Sequence, residues 1–377
     1  MAKNKSPRLT DLLGVLNQLC PANLAEDWDN VGLQVGDPTA EIRRVLVALD
    51  AEEAALEQAE QQQVQLIITH HPLIFRPLRR LSAADSSGRI LFRAIQQQIA
   101  IASAHTNLDR AADGLNDWLA EHLRLTAIQP LEQEIDGHYY KIVIYVPSGH
   151  ETAVMEALFA AGAGHIGGYD RCSFRLRGTG TFRGGDSSQP FIGTAGEHEE
   201  ADELRVETIV PAALLNRVIA RAEKAHPYEE MAYDLLPLAN RAKNVGLGRI
   251  GRLPQPLALQ QFAGQVKEWL QAPTLRLVGD PHRQLEKIAV CGGSGISMYA
   301  EAVRQGADCL VTGDIKFHEA QRARAEGLAL IDAGHFATER LMIAELAQRL
   351  RDSCQQRLWN IEIIEADQEQ DPFVAVD

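Results

Sequence analysis

Apolar positions along this chain fall into two patterns. Short unbroken runs recur at 45–49, 64–69, 99–104, 309–312 and 328–333, and each ends on or near a His or Asp: Asp50, His70, His105, Asp314 and His335. The longer stretches between them return an apolar residue every three or four positions, the period of a helix with one buried face. Buried runs alternating with helices are the sequence form of a parallel sheet covered on both faces and joined by right-handed crossovers. Ligands of such sheets bind just beyond the carboxyl ends of the strands. The expected frame is therefore one open α/β sheet whose polar strand ends line a single edge.

Taken in order, Leu9, Leu12, Leu13, Leu16 and Leu19 predict a first helix, which Pro21 stops. The segment 26–36, dense in Asp, Asn and Gly, reads first as a turn-rich surface loop and second as a cover carrying Asp29 and Asn30 over the site. Helices are predicted at 51–63, with Asp50 as its cap, at 87–98 and at 115–123, and the polar stretch 129–136 reads as a linker. Strands at 139–146, 172–182, 204–210 and 233–238, with helices at 151–161 and 211–225, give the β-α-β-β-α-β order of a ferredoxin-like domain. The α/β pattern resumes afterwards, with helices at 257–270, from about 297, at 315–326 and at 336–351, strands at 274–278 and 287–291, and a last β-like run at 359–364. The expected organisation is an α/β domain in two parts, 1–136 and 239–377, with a ferredoxin-like domain, 137–238, inserted between them.

Two glycine motifs need separate readings. Residues 246–251, Gly-Leu-Gly-Arg-Ile-Gly, match a dinucleotide fingerprint letter for letter, but they neither follow a strong strand nor open a helix, so no dinucleotide site is expected. The turn Cys291-Gly292-Gly293-Ser294-Gly295 lies between a strand and a helix. It could cradle a phosphate with its backbone N–H groups, or it could be a tight turn that needs small residues.

Composition narrows the classes. A net charge of -14 repels nucleic acid and anionic membranes, so neither is an expected partner. Bound dications could still invert the local field for a small anionic substrate. No apolar run approaches the ~20 residues of a membrane-spanning helix. Basic residues at Lys3, Lys5 and Arg8 are followed by Asp11, Asn17 and Gln18, which leaves no secretory apolar core. The five cysteines are scattered without a C-x-x-C pair, as in a reducing cytoplasm, which is the expected location.

The strand ends carry the chemistry. His70 and His71 are neighbours, and Pro72 forces the chain out of the strand after them, so both imidazoles can turn to the same edge several Å apart. Such a pair suits two metal ions side by side better than one. His335 and Glu339 stand four residues apart where a helix begins and share its face, and Asp109 adds a carboxylate after the third strand. Three imidazoles and two carboxylates without thiolate suit Zn, Fe, Mn, Co or Ni. Two such cations need bridging carboxylates, for which Asp109 and Glu339 are the candidates.

The motifs His70-His71-Pro72-Leu73-Ile74-Phe75, Ser103-Ala104-His105-Thr106-Asn107-Leu108-Asp109, Thr312-Gly313-Asp314-Ile315-Lys316-Phe317-His318 and Ala333-Gly334-His335-Phe336-Ala337-Thr338-Glu339 together resemble the Nif-three-like dinuclear metal-centre proteins, homologues of GTP cyclohydrolase 1 type 2. Residues 29–36 and 291–295 fit the same pattern. The resemblance implies two divalent ions held by His70, His71, Asp109, His335 and Glu339, the same set the spacing selects. It implies a toroidal homohexamer, a trimer of dimers, and an insert similar to the PII or CutA signalling proteins, which fits 139–238 with His226-Pro227-Tyr228-Glu229-Glu230. It also implies a metal-dependent hydrolase in which activated water attacks C8 of the guanine ring of GTP and formate leaves. His105, Asp314 and His318 are then candidates to orient ligands or move protons, and Gly292, Gly293, Ser294 and Gly295 to receive phosphate. The alternative is a non-enzymatic, metal-responsive regulator or scaffold with the insert as its sensor. Phosphoesterase activity on another nucleotide would use the same metals.

Overall fold

The structure is a computed structural model that describes residues 6–132, 139–167, 169–240 and 244–375. Lys3, Lys5, most of the polar part of the expected linker and the expected boundary at 136/137 lie outside the described residues. The chain divides into two compact units, residues 1–133 with 243–377, and residues 134–242.

The first unit holds two mixed sheets rather than the single open sheet expected. One has five strands in the order Gly32–Val35, Ala100–Ser103, Leu66–Thr69, Arg44–Ala48, Glu362–Glu365, all parallel except the antiparallel edge strand Gly32–Val35. The other has six: Arg276–Val278, Ala329–Asp332, Cys309–Thr312, Gln284–Val290, Arg249–Ala258, Thr126–Pro130. Its middle three are parallel and the rest antiparallel. Periodicity finds buried strands but not which sheet each one joins, because pairing is a long-range choice.

The parallel strands are buried on both faces, as their unbroken apolar runs require. Val45, Val47, Leu66 and Ile68 pack with the helices Leu9–Leu19 and Met342–Gln356, while Leu46, Ala48 and Ile67 pack with Glu53–Gln61 and Ser86–Gln96. In the second sheet Ile288, Val290, Val311 and Ile331 face the helix Leu259–Trp269, and Ala289, Leu310 and Leu330 face Tyr299–Arg304 and Phe317–Glu326. The helix Leu115–His122 serves both layers, giving Leu115 and Trp118 to the first core and Leu119 and Ala120 to the second.

Several local expectations need correction. Residues 129–130 of the supposed linker belong to the strand Thr126–Pro130, and 32–35 of the supposed surface loop form an edge strand. The strand Arg249–Ala258 was hidden by Pro254 and Pro256, which are tolerated because its pairing with Gln284–Val290 slips between Arg252 and Leu257. Its first residue, Arg249, is fully buried and bonds both carboxylate oxygens of Asp117 at 2.6 Å, with the carbonyls of Gly246, Gly248 and Ala111 as further acceptors. Gly246 and Gly248 of the 246–251 motif thus give their carbonyls to a buried guanidinium, and a strand rather than a helix follows. The expected helix 336–351 is two, His335–Glu339 and Met342–Gln356.

The second unit runs Tyr139–Pro147, helix Glu151–Ala160, Ser173–Arg183, His198–Pro211, helix Leu215–Ala225, Tyr233–Pro237. Its sheet is antiparallel throughout, in the order Ser173–Arg183, His198–Pro211, Tyr139–Pro147, Tyr233–Pro237. Ile142, Ile144, Val146 and Val206 pack against Val154, Leu158, Val218 and Ala222 of the two helices.

Candidate metal centre

In the first unit the carboxyl ends of parallel strands from both sheets meet. Asp50, His70, His71 and His105 come from the five-stranded sheet, and Asp314 and His335 from the six-stranded one. Four imidazoles are held alike. His70 Nδ1 donates to the carbonyl of Ala104 at 2.8 Å, His71 Nδ1 meets Asp50 Oδ1 at 3.0 Å, His105 Nδ1 meets Asp29 Oδ1 at 2.9 Å, and His335 Nδ1 meets Asp314 Oδ2 at 2.8 Å. A carbonyl or an ionised carboxylate only accepts, so each Nδ1 carries the proton and each Nε2 can offer its lone pair. This is how metal-binding histidines are fixed in ring orientation and tautomer.

Three of those Nε2 atoms converge on two carboxylates. His70 Nε2 lies 3.6 Å from Asp109 Oδ1 and 3.7 Å from Glu339 Oε1. His71 Nε2 and His335 Nε2 lie 3.1 and 2.9 Å from Glu339 Oε2. Glu339 therefore turns one oxygen to His70 and the other to His71 and His335. Among the described residues, His70 Nε2, Asp109 Oδ1 and Glu339 Oε2 are buried polar atoms with no partner in hydrogen-bond geometry. Orphaned buried polar atoms cost about 1–3 kcal/mol each, more when charged. Orphans facing imidazole nitrogens, His70 Nε2 beside Asp109 Oδ1 and Glu339 Oε2 beside His71 and His335, fit bound cations. Burial, then the charges of Asp109 and Glu339, pushes the Cys291 thiol up, so it stays protonated and leaves an all N/O donor set.

Electrostatics within the cluster point the same way. Burial pushes the Asp109 carboxyl up, against the pull of His70. Burial also acts to raise Glu339, but the charge of His70 and the close imidazoles of His335 and His71 overcome it and hold the group well below the carboxylate range. For Asp29, burial is likewise outweighed by hydrogen bonds from His105 and Thr106, leaving it at about 2. A site that draws protons onto its histidines to balance buried carboxylates can be neutralised equally by a divalent ion.

Of the residues selected from sequence, His70, His71, Asp109, His335 and Glu339 come together, with His105 and Asp314 beside them. His318 does not join them: it is exposed, bonds Gln321 Oε1 at 3.2 Å and packs its ring on Phe317. The 291–295 turn is no phosphate cradle. Gly292 N donates to Asn116 Oδ1 at 2.9 Å, Gly293 N to Thr338 Oγ1 at 3.0 Å and Gly295 N to Thr312 Oγ1 at 2.8 Å, so these donors are already used. Small size is what the turn supplies: a Cβ on Gly293 would come 2.1 Å from Glu339 Oε1. Nor is Asp50 a helix cap, since Glu52 occupies that position and Asp50 binds His71. The favoured reading of 26–36 as plain surface also gives way, because the side chain of Asp29 is fully buried against His105 and Thr106.

One positioning residue had no sequence signal. Glu369, in the acidic tail, accepts from Leu49 N at 2.7 Å and Asp50 N at 2.9 Å, and so fixes the strand end that carries Asp50. A cavity of 710 Å³ opens on His71 and His335, lined also by Asp50, Asp314, Arg276 and Phe336. On another side, Trp28 stands edge-on to His105 with ring centroids 6.1 Å apart, and Phe75 is 5.7 Å from Trp28.

With that geometry in view, the chain can be set beside known proteins. The profile of the family Duf34/NIF3 (NGG1p interacting factor 3) matches residues 7–372. A GTP cyclohydrolase 1 type 2 homolog of Halalkalibacterium halodurans is 42% identical over 356 residues, 94% of this chain and 95% of that protein. One of Bacillus subtilis is 39% identical over 98% of this chain and 99% of its own length. A solved structure of a Bacillus cereus protein related to NIF3 superposes with a TM-score of 0.89 at 39% identity, covering 99% of this chain and 100% of that one. Staphylococcus aureus protein SA1388 superposes with a TM-score of 0.80 at 32% identity, covering 98% and 99%. Among the described residues no helix is long and apolar enough to cross a membrane.

Proposed function

This chain belongs to the Duf34/NIF3 family, and from that premise we propose that it is a dinuclear divalent-metal protein that hydrolyses a purine nucleotide. The observation that carries the metal reading is the set of unpartnered buried atoms His70 Nε2, Asp109 Oδ1 and Glu339 Oε2, the first two facing each other and the third facing His71 and His335. His70, His71, Asp109, His335 and Glu339 would hold the ions. Zn, Fe, Mn, Co and Ni all suit that donor set. Ions held there would supply Lewis-acid activation of water and offset charge developing on the substrate.

The chain's own residues then have separable tasks. Asp50 and Asp314 hold His71 and His335 by Nδ1, so that both rings keep Nε2 forward. His105, with Nδ1 fixed by Asp29, is the group placed to take or return a proton at Nε2. The exposed rings of Trp28 and Phe75 offer a stacking surface for a heteroaromatic base beside His105. Arg276, tied to Asp332 at the cavity wall, is a phosphate partner that the 291–295 turn cannot be. A cavity of 710 Å³ is within the ~300–1,000 Å³ range of small-molecule sites.

We read the second unit as a ferredoxin-like, PII- or CutA-like insert, which its element order and strand order support. We extend the proposal to a homohexamer, a trimer of dimers, which light scattering tests directly. The test of the activity is formate release from GTP by protein shown by elemental analysis to carry two divalent ions per chain. No formate from such protein, with its metal retained, sinks the hydrolase reading but leaves the metal reading standing; a chain that binds no metal sinks both.

A further inference from the structure

The second unit has a cavity of its own, about 480 Å³, between the strand Ser173–Arg183, the loop that follows it and residues 228–232. Its walls are aromatic: Tyr228 stands between Phe182 and Phe191, with ring centroids 6.2 and 6.1 Å away. Glu203, only 7% exposed, lines the same space, and its Oε1 accepts the Tyr228 hydroxyl at 2.9 Å. Room for that carboxylate exists because residue 180 is glycine; a Cβ there would come 2.1 Å from Glu203 Oε2. Glu229 and Glu230 add carboxylates to the lining, which among the described residues includes no Lys or Arg. Glu229 Oε2 accepts from Gln189 N at 2.8 Å, which fastens the loop and keeps Phe191 near Tyr228.

A buried carboxylate without a counter-charge is costly, and aromatic faces carry negative partial charge. Three rings and an enclosed Glu make a setting that repels anions and attracts a cation whose charge is spread over carbon. Inorganic cations prefer oxygen cages to aromatic walls. We propose that this cavity binds an organic ammonium cation, its charge against Glu203 and its carbon substituents against Phe182, Phe191 and Tyr228. The inference stands on residues of the second unit alone and does not depend on the metal reading.

The test uses the full-length protein and titration calorimetry with choline as the probe, against 3,3-dimethylbutan-1-ol, a neutral molecule of the same shape. Choline is expected to bind saturably and about tenfold or more tightly than the alcohol, the size of a desolvated cation–aromatic contact. Phe191→Ala removes a ring that is already 53% exposed and so leaves the fold intact; it and Glu203→Gln should each weaken choline about tenfold. Equal binding of choline and the alcohol, no choline binding at millimolar concentration, or full affinity in folded Phe191→Ala would each overturn the proposal. If Glu203→Gln fails to fold, the wild-type comparison and Phe191→Ala still decide it.

Discussion

His71 Nε2 and His335 Nε2 face each other across 3.4 Å, although 264 positions separate them along the chain. Each ring is held from behind by a carboxylate, Asp50 for His71 and Asp314 for His335. Two lone pairs directed at each other repel unless a proton or a cation lies between them. The pair is therefore the part of the cluster most sensitive to what occupies it.

Truncating one member should empty part of the site without unfolding the chain. His71 is a quarter exposed and follows the strand rather than packing within it, so His71→Ala removes a proposed ligand and little core. Elemental analysis should find at least one ion per chain lost, with an unchanged circular dichroism spectrum. Two ions retained per chain would remove His71 from the ligand set.

Acidity offers a second check. Burial lowers the His71 pKa, but the hydrogen bond to Asp50 and the close Glu339 carboxylate outweigh it and raise the group to about 10; the same carboxylate, 2.9 Å away, raises His335 to about 9. Both folded values lie above the ~6.5 of an unfolded histidine. The protonated rings thus stabilise the metal-free protein fully below pH ~6.5, and that stability is lost as pH rises toward 9 and 10. The thermal midpoint of metal-free protein should fall between pH 7 and 10, and metal loading at pH 7 should release protons, seen as a buffer-dependent heat. A metal-free midpoint that rises over that range contradicts this account.

Gly293→Ala isolates the role of the 291–295 turn. The residue has φ of +57°, and its new Cβ would crowd Glu339 Oε1. Moving Glu339 should weaken metal binding about 10–100-fold, the usual effect of disturbing the support of a ligand. A phosphate cradle would instead predict weaker nucleotide binding with metal affinity unchanged.

Arg249→Met tests the frame rather than the site. Removing the guanidinium leaves Asp117 and several carbonyls without their donor, a change that typically costs about 3–5 kcal/mol. Denaturant unfolding should show a loss of that size, with metal content per folded chain preserved. A loss below about 1 kcal/mol would mean that water replaces the guanidinium there.

Much of this was legible beforehand, and the physical reason is local. The apolar runs at 45–49, 64–69, 99–104 and 309–312 are short and flanked by helical patterns, as buried parallel strands are, and helix spacing put His335 and Glu339 on one face. The motifs at 70–75, 103–109, 312–318 and 333–339 were enough to identify the family that the profile match then showed. What failed were residues whose role depends on a distant partner. Asp50 resembles a cap in sequence because a helix follows it, whereas its partner is His71 across the strand ends. His318 shares a motif with Asp314, yet the helix from Phe317 turns it to solvent.

The sequence by itself determined that the unbroken apolar runs are buried strands, which residue types stand at their ends, and hence that nitrogen and oxygen donors gather beyond those ends. Only the tertiary structure decided that the strands sort into two sheets, that Glu339 divides its two oxygens between His70 and the His71–His335 pair, and that Asp29 and Glu369 reach back to hold the site. Periodicity and propensity act over a few residues, whereas sheet membership and hydrogen bonds between residues tens to hundreds apart are fixed only when the whole core packs at once.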